Sequence, residues 1–332
     1  EPPPVVTPAR VQVSVIDASA APIADVQVSV VGGTATASTA ADGSGSFELP
    51  STPATALTLR FSKAGYTDNF KRLAFARGST AALVQTSLRP RDAGQPLDAS
   101  AGGSLVGRDG ASVLLPAGAL IDAATGTSVS GMVDIAMTSI DVSGDELRAF
   151  PGRFMSTDTA GVLRMIASYG TTEFILTQAG RRLNLAPGRT ATIELPIYTP
   201  YHTPGVPVAV GDTIPLLSLD ESTGFWKQEG VGTVVASAGS PTGLAMRGTV
   251  GHFSWWNCDD FVDTAKLDLD IKMPEVADSD RVPDTRPPGT TDDIETDPNK
   301  YRLGPTRLIR IDAKTADDSL LCLLYTSDAA DE

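Results

Sequence analysis

Two histidines, two cysteines, three tryptophans and 40 acidic residues are the groups from which this 332-residue chain could build a reactive or binding centre. His202 lies in Tyr198-Thr-Pro-Tyr-His-Thr-Pro204, a loop between strands, and His252 precedes Phe253. Neither belongs to an H-E-x-x-H pattern or a Cys/His pair that would turn two ligands onto one zinc ion. His252 is expected to be a packed or hydrogen-bonded structural residue near the tryptophans. A nucleophile is equally hard to find. No G-x-S-x-G elbow is present, and Cys258 has no accompanying histidine pattern. Ser44 sits between Gly43 and Gly45, in a turn whose glycines supply positive φ. No G-x-x-x-x-G-K-S/T loop exists to cradle phosphate. No catalytic residue, cofactor-binding residue, metal ligand or cofactor is therefore assigned.

Two weaker chemistries are open. Calcium takes oxygen ligands, and turns offer them in Asp141, Asp145 and Glu146, in Asp220 and Glu221, and in Asp259, Asp260 and Asp263. None follows the 12-residue loop pattern with its glycine and closing glutamate, so exposed turn carboxylates are the expectation. Trp226, Trp255 and Trp256 could stack against a sugar ring. Neighbouring strand residues point to opposite faces, so Trp255 and Trp256 cannot line one flat platform. One is expected in the core and the other over an edge.

The elements that would carry these residues are short strands. The chain is 41% apolar with 31 Gly and 24 Pro, a composition suited to many strands joined by tight turns. Its length predicts two or three domains. The formal net charge of −14 argues against nucleic acid, whose phosphates need a basic surface, and against anionic lipid. No apolar run approaches the ~20 residues that span a bilayer.

Residues 1–9 read as a Pro-rich linker. Such a start often follows a cleaved signal or a lipid-anchored terminus, and a lipid anchor ahead of Glu1 is one expectation. Val11, Val13 and Val15 alternate with polar residues, as do Val26, Val28 and Val30 beyond Ala21-Pro22. The two runs are expected to form an antiparallel pair. Asp42-Gly43 turns into a strand at Phe47, residues 57–62 supply another, and the unit closes with 73–76 and 83–88. About seven strands over residues 10–91 predict a small β-sandwich. The order of residues 21–28 (APIADVQV), 42–47 (DGSGSF) and 61–66 (FSKAGY) resembles the carboxypeptidase regulatory-like domain, a prealbumin-like sandwich. This chain inserts Ser44-Gly45 between the Asp-Gly turn and Phe47. The resemblance implies a structural appendage of extracytoplasmic proteins, without the zinc carboxypeptidase centre.

Residues 92–101 read as a linker into a second domain at 100–258. There Val129, Gly131, Val133, Ile135 and Met137 alternate with Ser130, Met132, Asp134, Ala136 and Thr138, the signature of a half-buried strand. Arg108-Asp109-Gly110, Pro116-Ala117-Gly118, Thr125-Gly126-Thr127, Phe150-Pro151-Gly152 and residues 220–224 mark turns. No 12-residue helical stripe interrupts the pattern, so the domain is all-β. The ordered set GGxL, LPAGAL, FPG, SYG, LxLAPGxTATI, SLDExTGxW and HFSWWN resembles a β-rich module of bacterial surface proteins. It is similar to part of the cartilage intermediate layer proteins, and more distantly to ZU5-like domains. That resemblance brings no catalytic constellation.

Residues 259–305 form an acidic Pro/Asp-rich segment expected to be largely disordered, with an apolar island at 267–273. Residues 306–321 could open a further β domain. Residues 322–332, CLLYTSDAADE, match one reading frame of a transposase adapter used in preparing sequencing libraries. The expectation is therefore read-through, with the native chain breaking off near Leu321. Cys258 is then the single native cysteine, and its pairing partner would lie elsewhere.

The reading is an all-β, non-enzymatic, extracytoplasmic protein. An N-terminal seven-stranded prealbumin-like sandwich and a larger β-sandwich would present a binding surface to a protein or glycan at the cell surface. The alternatives are a carbohydrate- or calcium-binding module, and the accessory region of a secreted enzyme.

Overall fold

The computed structural model describes residues 8–76, 78–203 and 205–262, together with the backbone of 310–314 and 320–325. The N-terminal domain contains β1 (Ala9–Ile16), β2 (Gln27–Val30), β3 (Thr36–Ser38), β4 (Ser44–Leu49), β5 (Leu57–Ser62), β6 (Asn69–Leu73) and β7 (Ala81–Ser87). They make two sheets, β4-β1-β7 and β3-β2-β5-β6. Alternation explains the burial. Val11, Val13 and Val15 of β1 face Val28 and Val30 of β2 across a core that also takes Phe47, Leu59, Phe61 and Leu88. Sandwich and strand count agree with the sequence reading, but one pairing does not. β1 and β2 are not an antiparallel pair: β1 bonds to β4 and, in parallel, to β7, whereas β2 bonds to β3 and β5. Both valine stripes point inward, so the two strands satisfy each other by stacking across the core. The chain between them changes sheet rather than turning back.

The Asp42-Gly43 turn shows why that sheet needs its glycine. Gly43 has φ +74°, and a Cβ there would lie 2.5 Å from the Val15 carbonyl oxygen. Asp42 Oδ1 accepts from the amide and the hydroxyl of Ser44 at 2.9 and 2.6 Å, so the serine closes an Asx turn.

The second domain is one sheet of thirteen strands. It contains β8 (Gln95–Asp98), β9 (Gly103–Val106), β10 (Ser112–Leu115), β11 (Leu120–Asp122), β12 (Met132–Ile140), β13 (Met155–Thr157), β14 (Leu163–Gln178), β15 (Arg181–Leu185), β16 (Ala191–Pro196), β19 (Thr213–Asp220), β20 (Phe225–Ala236), β21 (Leu244–Val250) and β22 (Trp255–Val262). Between β16 and β19 lies a separate two-stranded hairpin, β17 (Tyr201–Thr203) and β18 (Val206–Pro207). The path β9-β10-β16-β21-β20-β19-β22-β14-β12-β8 curls back on itself. Gln95 Nε2 of β8 donates to the Val106 carbonyl of β9 at 2.9 Å across the seam. The concave side encloses a large core around Val113, Ile135, Phe174, Leu195, Leu216, Met246 and Trp256. The convex side carries a second core, with Ile140, Phe150, Ile166, Leu217, Leu219, Trp226 and Trp255.

Several expected boundaries move. Ala9 is fully buried in β1, so the leading linker ends one residue earlier. Residues 95–98 are a strand paired with β12; Leu97 alone carries its apolar signal, too little for a period to register. The expected strand at 129–138 begins at Met132, because Gly131 has φ +78°. Its first half alternates as read, but Ala136, Thr138 and Ser139 are buried as well, since β12 there has a core or a partner domain on either side. β22 runs on to Val262, so Asp259 and Asp260 are strand residues, not the start of an acidic segment. Residues 263–309, with the island at 267–273, lie outside the described residues. The chain divides into two units. From the C-terminal one only an antiparallel pair is described, β23 (Arg310–Lys314) with β24 (Leu320–Tyr325).

Candidate functional site

The densest grouping of titratable side chains is built around His202. β17 presents its imidazole to the end of β22, where Asp260 pairs in register with Ala167 of β14. His202 Nδ1 lies 2.7 Å from Asp260 Oδ2 and 2.7 Å from the Tyr169 hydroxyl; Nε2 lies 3.1 Å from Asp212 Oδ2. Tyr169 also donates a short hydrogen bond to Asp260 Oδ2. Asp212 Oδ2 is fixed by the Ala209 amide at 2.7 Å. Partial burial disfavours a charged imidazole, but the two carboxylates outweigh it and hold the His202 pKa above its ordinary value. Burial first, and the Asp260 carboxylate second, push the Tyr169 phenol up.

This arrangement fastens rather than reacts. Both imidazole nitrogens are taken by carboxylates on opposite sides of the ring, so the ligands do not converge on one point for a metal ion. Neither nitrogen is free to take a proton from a substrate. Among the described residues no group of three or more His, Cys, Asp or Glu could hold a metal ion.

The other candidates fall into structural positions. His252 Nε2 is 3.1 Å from Glu229 Oε2, and its ring packs 4.8 Å from that of Trp256. Cys258 is buried, its thiol pushed up by burial, and it donates to the Gly170 carbonyl at 3.2 Å. The tryptophans correct the sequence reading. Trp226, Trp255 and Trp256 are 0%, 1% and 1% exposed, so none can stack on a sugar. Trp256 enters the concave core and Trp255 the convex one; neither covers an edge, because β22 is covered on both faces.

Several of the carboxylates considered for calcium are spent on other partners. Glu146 takes Arg89 at 3.2 Å and Arg108 at 3.0 Å, Asp145 pairs with Arg148, and Asp141 Oδ1 accepts from Ser143. Asp220 Oδ1 likewise accepts from Ser222. Asp259 stands apart from Asp260 on the other face of β22. It is fully buried, and neither carboxyl oxygen has a hydrogen bond of normal geometry. The nearby Ser168 hydroxyl is given to Asn257 Oδ1 at 2.7 Å. Burial therefore pushes the Asp259 carboxyl well above the usual range. Asp263 lies outside the described residues.

A second constellation joins the two domains. Arg91 donates to Glu173 of β14 through Nε at 2.8 Å and Nη2 at 3.2 Å. Arg89, almost fully buried, bonds to Glu146 and Asp92. Asn69 Nδ2 of β6 donates to the carbonyls of Ser87 and Ala149, both at 3.1 Å. Lys71 Nζ reaches the carbonyls of Phe150 and Gly152 at 2.9 and 3.3 Å. Gly152 in turn donates to the Phe70 carbonyl at 2.9 Å, and the Phe70 ring is buried in the convex core of the second domain. The Phe150-Pro151-Gly152 corner, read in the sequence as a turn, is thus the seat on which β6 rests. Gly152 has φ +71°, and a Cβ there would meet the Gly224 carbonyl oxygen at 2.7 Å.

Fold and site together define an all-β chain, over the described residues, whose polar clusters hold elements together. Residues 10–89 match the family model of the carboxypeptidase regulatory-like domain, a non-catalytic module; the N-terminal sandwich is such a domain. No curated protein sequence matches the chain. Among solved structures, the major pilin subunit of Bacillus cereus aligns over 81% of this chain and 96% of its own, at 8% identity and a TM-score of 0.22. No helix among the described residues is long and apolar enough to cross a membrane.

Proposed function

We propose that this protein is a non-enzymatic, extracytoplasmic scaffold: a rigid pair of β domains that holds a binding surface for a protein or glycan partner at the cell surface. The observation that carries the reading is the joint between the domains. A flexible tether leaves two domains free to reorient. Here one domain places an aromatic ring, Phe70, inside the other's core, and three cationic side chains of the first, Lys71, Arg89 and Arg91, are bonded to groups of the second. The carboxypeptidase regulatory-like domain supports the same reading, since such a module is an appendage and not a catalyst. The second domain, residues 100–258 in the sequence reading and now extended to β8 and to Val262, would be the presenting module.

The joint can be tested by distance measurement between spin labels, one on an exposed turn of each domain, in the full chain. A rigid scaffold gives one narrow distance distribution that does not broaden with temperature below the melting transition. A broad distribution in the native state would remove the reading.

A further inference from the structure

We propose that His202 is a proton-operated fastener, which ties residues 199–212 to the C-terminal end of β22 and is closed in acid and open in base. The geometry calls for it. The segment leaves β16, crosses to the end of β22 and returns into β19, and β17 and β18 pair only with each other. Its C-terminal part is held by the buried Val208 side chain and by backbone bonds to β20, Gly211 to the Val234 carbonyl at 2.9 Å and Val234 to the Asp212 carbonyl at 2.8 Å; its β17 part is tied to β22 through the His202 contact to Asp260.

The His202 contacts to Asp260 and Asp212 depend on two donors from one ring. The imidazolium has them: Nδ1–H serves Asp260 and Nε2–H serves Asp212, while the Tyr169 hydroxyl gives a further hydrogen bond to Asp260. The neutral ring has one N–H. With the proton kept on Nε2 for Asp212, Nδ1 becomes an acceptor that faces the Asp260 carboxylate. Tyr169, within hydrogen-bond reach of both, can then turn its hydrogen to Nδ1, and Asp260 loses both donors. The tie between β17 and the end of β22 is thereby loosened, and the end of β22 is left with its backbone pairing to β14 alone. The charged and titratable groups around the ring are Tyr169 on β14, Asp260 and the adjoining Cys258 and Asp259 on β22, Asp212 ahead of β19, and Tyr201 beside it on β17. No second cation among them replaces the imidazolium. The raised pKa of His202 gives the sign. Its contribution is fully present below the ordinary value of 6.5 and is lost as pH rises through the higher folded value.

The chain has two histidines, so a His252→Gln variant leaves one imidazole resonance to follow by proton NMR. We expect its midpoint above 6.5. Across that midpoint, hydrogen-exchange protection factors of amides in 206–212 and 259–262 should fall roughly threefold, the scale of a partly exposed ion pair. In a His202→Gln variant the same amides should show no such step. A midpoint at or below 6.5 overturns the proposal. So does protection that stays level through the midpoint in the otherwise unaltered chain, a result that stands even if His202→Gln fails to fold. An equal step in His202→Gln overturns it as well.

Discussion

Arg91 and Glu173 meet through two hydrogen bonds, at 2.8 and 3.2 Å, where the N-terminal sandwich ends and the sixteen-residue β14 passes. The carboxylate is 3% exposed and the guanidinium 23%, so the pair is asymmetric. Glu173 depends on Arg91 far more than the reverse. Burial raises the Glu173 pKa even with Arg91 in place. This contact shows how the joint is made: a charge placed deep in one domain is neutralised by the other.

Arg91→Met leaves Glu173 buried without a cation, and should destabilise the protein by about 3 kcal/mol at neutral pH, the usual cost of breaking a buried pair from one side. The loss should shrink as pH falls, because Glu173 can take up a proton. Adding Glu173→Gln should restore most of the stability, and urea unfolding of both singles and the double gives the coupling. An Arg91→Met variant as stable as the parent at pH 7 would contradict the assignment.

Gly152→Ala should cost more than an exposed glycine substitution, about 1–3 kcal/mol. It combines positive φ with a Cβ that meets the Gly224 carbonyl and Leu219 Cδ1 at 2.7 and 2.8 Å. Because Gly152 also bonds to Phe70, the label-to-label distribution across the joint should broaden in parallel with the fall in melting temperature.

Asp259→Asn should raise stability at pH 7, by about 1 kcal/mol or more, since it removes a carboxyl whose ionised form burial disfavours by more than the neighbouring Ser168 and Asn257 offset. The sign follows from its raised folded pKa. Stability from such a group is present below the unfolded value and lost as pH rises. The parent should therefore lose stability relative to Asp259→Asn as pH climbs from 4, and denaturant curves at several pH values decide it.

Lys71 is expected to act in the opposite direction. Burial first, and Arg153 second, push its ammonium down to about 8. Between that value and the ordinary 10.5 the unfolded chain holds more protons, so the Lys71 contribution to stability rises with pH. The difference in unfolding free energy between the parent and Lys71→Met should move in the parent's favour between pH 8 and 10. A flat difference would show that the amine is solvated.

Tryptophan fluorescence offers a direct check on the absence of a sugar platform. With Trp226, Trp255 and Trp256 all buried, emission should be blue-shifted, weakly quenched by iodide, and unmoved by mono- or oligosaccharides. A sugar-dependent shift would require at least one indole at the surface.

The parts of this molecule legible in the sequence are those that repeat at short range. The valine stripes of β1 and β2, the turns at Asp42-Gly43 and at 220–224, and the regulatory-like order over the first ninety residues all rest on neighbours a few positions apart. Pairing is a long-range property, and there the reading failed: alternation puts Val13 and Val28 inward, yet does not say whether they share a sheet. The same limit hid the His202 cluster. Its partners Tyr169, Asp212 and Asp260 are 33, 10 and 58 residues away, and each looks like an ordinary strand or turn residue. Glu173 left a fainter trace, a lone carboxylate in the apolar Thr-Thr-Glu-Phe-Ile-Leu run of β14. Asp259 and Asp260 were read by composition, which cannot tell a solvated acidic stretch from the end of a buried strand.

Trp255 and Trp256 stand back to back on β22, each deep in a different core. A strand that is a wall of both cores cannot peel from one without opening the other, and Phe70 draws the N-terminal sandwich into the same event. The two cores therefore share one wall and are expected to open together. Under a pulling force the pair of cores would bear tension without creep, and then give way all at once.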